Sequence, residues 1–261
     1  MGNSDTKIQK QGTSYTDIRP TLRPFDLVLF SGGEFVSRFI KYIEQRELHH
    51  YIGPNSPTSL DAGAFSHVGM IVTSDILDHS NIKKDKIYIW ESTASGKLGE
   101  GVKNIEDESF LGVQIRDFDA LLPVYDEPNN TRVAIARVKN NPVDTLGAKK
   151  AKEKFTEIYN KYNGVLYDIS IIAEVGAIFG GCRKIRDVLE KSFGPDHWLF
   201  CSELIAVTYM QMGIFPKTVI PENVVPMDFL GYEQDSSDTG GIPIVVKLPP
   251  VYIVSSPESK K

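Results

Sequence analysis

What most restricts the folding of this chain is a set of short apolar runs, each ended by glycine, proline, asparagine or charge. "FDLVLF" (Phe25–Phe30), "FSHVGMIV" (Phe65–Val72) and "IYIWES" (Ile87–Ser92) come first. "VQIRDF" from Val113 and "TRVAIARV" (Thr131–Val138) follow, parted by the turn "DEPNN", and "IPIVVKL" and "VYIV" close the series. Short runs rich in β-branched and aromatic residues read as buried strands. None approaches the roughly 20 apolar residues that a membrane-spanning helix requires.

Helical periodicity fills the middle of the chain. "EFVSRFIKYIEQREL" carries Phe35, Phe39, Ile40 and Ile43 at helical spacing, the mark of an amphipathic helix. "DTLGAKKAKEKFTEIYNKYNG" reads as one helix with Asp144 as its cap and Gly164 as its stop. "CRKIRDVLEKSFG" reads as another, ending at Gly194. Strands early, helices in the middle and strands late predict an α+β domain, a mainly antiparallel sheet packed against helices. The polar residues 1–20 read as a flexible arm, 21–254 as the domain, and 255–261 as a disordered tail.

Composition narrows the functional classes. The 261 residues are 41% hydrophobic and 24% charged, with a net charge of −5, which supports a sizeable core. It excludes a sequence-independent nucleic-acid binder, which needs a dense lysine and arginine footprint. Two cysteines argue against a disulfide scaffold and suit a reducing, cytoplasmic setting. The opening "MGNSDTKIQK" lacks the apolar core of a secretory signal. It fits the M-G-x-x-x-[ST] pattern for myristoylation at Gly2. One such chain binds membranes only marginally, and Lys7, Lys10, Arg19 and Arg23 are scattered as a second signal.

The stretch "DHWLFCSELIAVTYMQMG" (Asp196–Gly213) places a cysteine at the start of a helix. Glu203 falls in its first turn, Gly213 is a fitting C-terminal stop, and Pro216 follows soon after. A helix N-terminus favours thiolate, the reactive form of cysteine, and a neighbouring histidine does so further. The Cys201 backbone N–H could also serve an oxyanion hole. Of five histidines, His49 and His50 end an amphipathic helix and His79 lies in a charged loop. His197, four residues before the cysteine, competes locally. His67 opens the strand "HVGMIV". If Phe65–Val72 and Ile87–Ser92 form a hairpin with His67 opposite Glu91, Gly69 meets Ile89 and Val68 meets Trp90. Both faces then stay apolar behind one polar pair. Directly opposed Cβ atoms lie about 4.5–5.5 Å apart, close enough for a carboxylate to hold an imidazole. Cys201, His67 and Glu91 would then be nucleophile, base and orienting group.

"FDLVLF", "FSHVGMIV", "IWES", "LYDIS" and "FCSELIA", with histidine first and cysteine last, resemble the circularly permuted NlpC-like branch of the papain-like cysteine hydrolases. Within that branch the pattern resembles in particular the YiiX-type amidase group, with lecithin retinol acyltransferase a more distant cousin. The resemblance spans Phe25 to about Phe229. It implies a permuted papain-like fold and a thiol hydrolase or acyltransferase with Cys201 as nucleophile, His67 as base and Glu91 as orienter. Tyr167, in the "LYDIS" segment, would line the substrate site. The implied substrate is an acyl compound, peptide or lipid-linked molecule, cleaved at an amide or ester with no cofactor. A peripheral membrane contact through Gly2 is compatible with it.

Other motifs point to less. "VGAIFGG" lacks dinucleotide-binding spacing, Ser31-Gly32-Gly33 reads as a turn, and no histidine or cysteine spacing suits a metal. Cys182 in "CRKIR" reads as structural. The competing functional class is a non-catalytic lipid- or peptide-binding protein on the same fold, anchored through Gly2. Expression in a eukaryotic host should give an intact mass with Gly2 acylated, and an unmodified Gly2 there would retire the lipidation reading.

Overall fold

The apolar runs pair into an open, mainly antiparallel sheet. The computed structural model describes residues 12–31, 65, 67–93, 102–126, 132–167, 198–230 and 245–254. Its strands are β1 (Thr13–Ser14), β2 (Leu27–Ser31), β3 (His67–Val72), β4 (Tyr88–Thr93), β5 (Gly112–Asp117), β6 (Arg132–Val138), β7 (Leu166–Tyr167), β8 (Trp198–Leu199) and β9 (Val246–Val254). Their order across the sheet is β1-β9-β6-β2-β3-β4-β5-β7-β8. The outermost pairs, β1–β9 and β7–β8, are parallel, and the pairs between them are antiparallel. The helices are α1 (Tyr15–Ile18), α2 (Phe118–Asp126), α3 (Pro142–Leu146), α4 (Ala148–Tyr162) and α5 (Cys201–Met212). None of the described helices is long and apolar enough to cross a membrane.

Every residue of β2, β3 and β4 is buried, because helices cover both faces of the sheet. Side chains alternate between faces along a strand, so the run splits into two apolar sets. Leu27, Leu29, Val68, Met70 and Trp90 meet Phe155 and Ile158 of α4 and Leu204, Ile205 and Tyr209 of α5. Val28, Phe30, Ile71 and Ile89 meet Ile18, Leu22, and Phe118, Leu121 and Leu122 of α2. Two side-chain hydrogen bonds seat α5: Tyr209 Oη donates to the Phe25 carbonyl at 2.6 Å, and Trp90 Nε1 donates to Thr208 Oγ1 at 3.3 Å.

The structure corrects the sequence reading at several places. Residues 12–20, expected in a flexible arm, are packed: β1 pairs with β9, and Asp119 accepts from Tyr15 Oη at 2.7 Å and from Arg19 Nε at 2.6 Å. The segment between β5 and β6, read as two strands parted by a turn, holds α2 with Pro123 inside it; Asp117 Oδ1 accepts from Ala120 N at 3.0 Å at its start. β5 and β6 consequently lie on opposite sides of β2–β4. The single helix expected from Asp144 is two: Asn141, whose side chain accepts from Val143 N, caps α3, and Gly147 at φ 84° separates it from α4. The two late strands are one, β9, with Pro249 and Pro250 opposite a register shift between Ile135 and Arg137, where missing N–H donors cost least. The tail 255–261, Gly2, the expected helices over 34–48 and 182–194, and His49, His50, Cys182 and His197 lie outside the described residues.

The β3–β4 register differs from the expected one by two residues. Met70 faces Trp90, Ile71 faces Ile89 and Val72 faces Tyr88. The expected register would have set Lys86 against fully buried Val72, taking an ammonium out of water. Lys86 instead stays at the rim and pairs with Asp117 at 2.8 Å. A two-residue slip leaves every side chain on its own face, so His67 and Glu91 still share one.

In this register Gly69 falls opposite Glu91. A Cβ at position 69 would lie 2.5 Å from Ile89 Cδ1 and 2.7 Å from Cγ1, and Ile89 has no exposed surface. Gly69→Ala is expected to destabilise by about 1–3 kcal/mol through overpacking, read as a lower urea midpoint. Adding Ile89→Val, which deletes Cδ1, should recover part of the loss; an unchanged midpoint in Gly69→Ala alone would refute the crowding.

Candidate active site

Cys201 is the first residue of α5, and its position is set from both sides. Phe200 ahead of it is extended and its N–H donates to Glu203 Oε2 at 3.3 Å, so the glutamate expected in the first turn caps the helix that the cysteine opens. Gly213 ends α5 in the left-handed conformation at φ 77°, as its sequence position predicts. Upstream, Ser92 Oγ of β4 donates to the Leu199 carbonyl at 2.6 Å, tying β8 to the sheet two residues before the thiol. Cys201 is 3% exposed, so it sits in the wall of the core with its sulfur against the end of β3.

His67 opens β3, and its ring leans on that of Phe30 with centroids 5.3 Å apart. Its Nε2 lies 2.6 Å from Glu91 Oε2, and the Cys201 side chain is close enough to act on the charge of the same ring. With Nε2 held by the carboxylate, Nδ1 is the nitrogen left for sulfur. The three residues singled out in the sequence therefore meet in space. The His67–Glu91 contact is diagonal across the β3–β4 pair rather than directly opposed.

Glu91 has no solvent exposure, and its second oxygen finds a residue that the sequence reading missed. Arg116 of β5, itself 3% exposed, brings Nε to 2.7 Å and Nη2 to 2.6 Å of Glu91 Oε1. The chain Cys201–His67–Glu91–Arg116 runs from the tip of α5 across three neighbouring strands. Its signal in the sequence was faint: in "VQIRDF", Val113 and Ile115 mark one buried face, which leaves Gln114 and Arg116 on the other. Both are buried, and a buried arginine calls for a carboxylate.

Burial disfavours charge on His67, but the Cys201 sulfur and the Glu91 carboxylate outweigh it and push the imidazole up to about 9. Burial likewise works against an ionised Glu91, but Arg116 and then His67 outweigh it and hold the carboxyl down to about 2. At neutral pH the geometry therefore holds an imidazolium between a sulfur and a carboxylate, the arrangement from which a thiol nucleophile works.

Tyr167, expected to line the site, is buried on β7, with its strand pairing to β8 at Leu199. Its ring packs edge-to-face on Phe200, centroids 5.7 Å apart, so it braces the residue that precedes the thiol. His79 is exposed in the β3–β4 connection, where its Nδ1 accepts from Asn81 N at 3.3 Å. Among the described residues no cluster of three or more histidine, cysteine, aspartate or glutamate side chains could hold a metal ion. No protein-family model matches the chain, and a search of curated proteins finds no significant relative.

The shifted groups fix a pH dependence. His67, raised in the folded state, contributes stability that is complete below 6.5 and is lost as pH rises through about 9. Glu91, lowered, contributes stability that is complete above 4.5 and is lost as pH falls through about 2. Buried Asp228, raised to about 6, loses its contribution as pH rises through that value, below the alkaline window of His67. Thermal melts between roughly pH 7 and 9.5 should show Tm falling with pH, and His67→Ala should flatten that slope. Parallel slopes in the two proteins would contradict the charge assignment.

Proposed function

We propose that this chain is a thiol hydrolase or acyltransferase of the permuted papain-like, NlpC-like type, acting through Cys201, His67 and Glu91. The observation that carries the reading is the continuous chain from a helix-terminal thiol through His67 to a carboxylate 2.6 Å from its ring. Nucleophile, base and orienter are the minimum set for covalent acyl transfer.

In this reading the Cys201 proton already resides on His67, and the thiolate attacks the acyl carbonyl carbon. The resulting oxyanion is met by backbone N–H groups at the start of α5, the Cys201 amide first, where the helix dipole also favours negative charge. Collapse of the intermediate breaks the bond to the leaving amine or alkoxide, which takes the proton from His67. A thioester remains on Cys201. Water, or a second acceptor, then attacks it with His67 as base, and the thiolate is regenerated. Glu91 keeps the imidazole in one orientation and stabilises its charge in both halves of the reaction. No step calls for a cofactor.

The substrate class is an acyl compound with an amide or ester bond, either a peptide or a lipid-linked molecule. Phe200, partly exposed beside the nucleophile, supplies apolar surface that suits an acyl chain. A cytoplasmic enzyme brought to membranes by an acylated Gly2 would meet lipid-linked substrates there. A buried imidazolium–carboxylate pair is expensive to retain in a protein that only binds, which favours turnover over the non-catalytic alternative.

An acyl-directed electrophile should label Cys201 stoichiometrically, and His67→Ala should slow that labelling by about tenfold or more at pH 7. Equal rates in the two proteins would dismiss the enzyme reading.

A further inference from the structure

We propose that Arg116 is a positioning residue of this site, keeping the Glu91 carboxylate ionised and turned so that one oxygen belongs to His67 alone. The inference rests on Cys201 acting as the nucleophile, and it adds a fourth member that the triad does not contain.

The geometry of the carboxylate is the first argument. An arginine facing an isolated carboxylate commonly engages both oxygens with a two-pronged fork. Here Nε and Nη2 of Arg116 converge on Oε1, at 2.7 and 2.6 Å, while Oε2 is the oxygen 2.6 Å from His67 Nε2. The division of labour fixes the plane of the carboxylate, and with it the axis along which His67 points toward Cys201.

Charge is the second argument. Among the described residues the groups involved are Cys201 from α5, His67 from β3, Glu91 from β4 and Arg116 from β5. Thiolate, imidazolium, carboxylate and guanidinium sum to zero. Without Arg116 the reactive ion pair would share a buried pocket with one uncompensated negative charge, which disfavours thiolate. Arginine suits this place because it cannot lose its proton in a protein, so the balance does not depend on pH. Arg116 has no need to touch substrate; it acts through Glu91.

A purely structural arginine would also neutralise Glu91, so the test must read the sulfur. The rate of Cys201 alkylation by iodoacetamide, followed by intact mass between roughly pH 5 and 10, reports thiolate directly and needs no substrate. Arg116→Met removes the charge and keeps much of the stem. Its labelling midpoint should rise by about one unit or more, near tenfold slower labelling at pH 7. Arg116→Lys, which keeps the charge, should return the midpoint most of the way to wild type. Midpoints equal to wild type in all variants overturn the proposal. Should Arg116→Met fail to fold, judged by near-ultraviolet circular dichroism, Arg116→Gln takes its place with the same expected shift. If neither neutral variant folds, Arg116 is a requirement of the fold and the proposal falls. His67→Ala, run alongside, separates the two failures. A wild-type midpoint in His67→Ala removes the nucleophile reading itself; a shift there, with none in the Arg116 variants, removes only the role of Arg116.

Discussion

A carboxylate with no exposure to solvent is costly to keep ionised unless its lone pairs are met by cations and donors. Glu91 is such a group, and the described structure around it is organised to compensate it. Arg116 saturates one oxygen and His67 the other. Each belongs to a strand adjacent to β4, so the order β3-β4-β5 is itself a condition of the site. Had β5 paired with β6 across a hairpin, as the intervening turn residues suggested, Arg116 would have been taken away from Glu91.

The apolar layers give that network its rigidity. Helices on both faces leave β2, β3 and β4 without exposed positions, so His67 and Glu91 sit where water cannot replace their contacts. The face toward α4 and α5 carries Trp90, and its bond to Thr208 helps hold the helix that presents Cys201. The Tyr209 bond to the Phe25 carbonyl ties the same helix to the entry of β2. At that entry buried Asp26 is met by Arg137, by the Arg23 amide and by the Val138 amide. The apolar run "FDLVLF" could therefore carry one acid: backbone and guanidinium donors replace its hydration.

Much of the local structure was legible because it depends on near neighbours. Short continuous apolar runs marked β2, β3 and β4, and the limits of α5 followed from Glu203 and Gly213. Where the sequence misled, a local signal was overruled by a distant contact. The turn residues "DEPNN" marked only a break between two strands, but Phe118, Leu121 and Leu122 of α2 bury against strands from both halves of the chain. The polarity of residues 12–20 suggested an arm, yet Arg19 and Tyr15 find Asp119 about a hundred residues away. Asp144 was a reasonable cap by type, but Asn141 takes that place, bonding both Val143 N and the Pro24 carbonyl.

By itself the sequence determined which runs form strands and where the helix that opens with Cys201 begins and ends. Those are consequences of backbone geometry, which repeats every two residues in a strand and every 3.6 in a helix. The tertiary structure alone decided how far β3 slides along β4, that His67 and Glu91 share a face there, and that Arg116 arrives from β5. Register and charge compensation are set by desolvation and packing between segments far apart in the chain, and no local period encodes them.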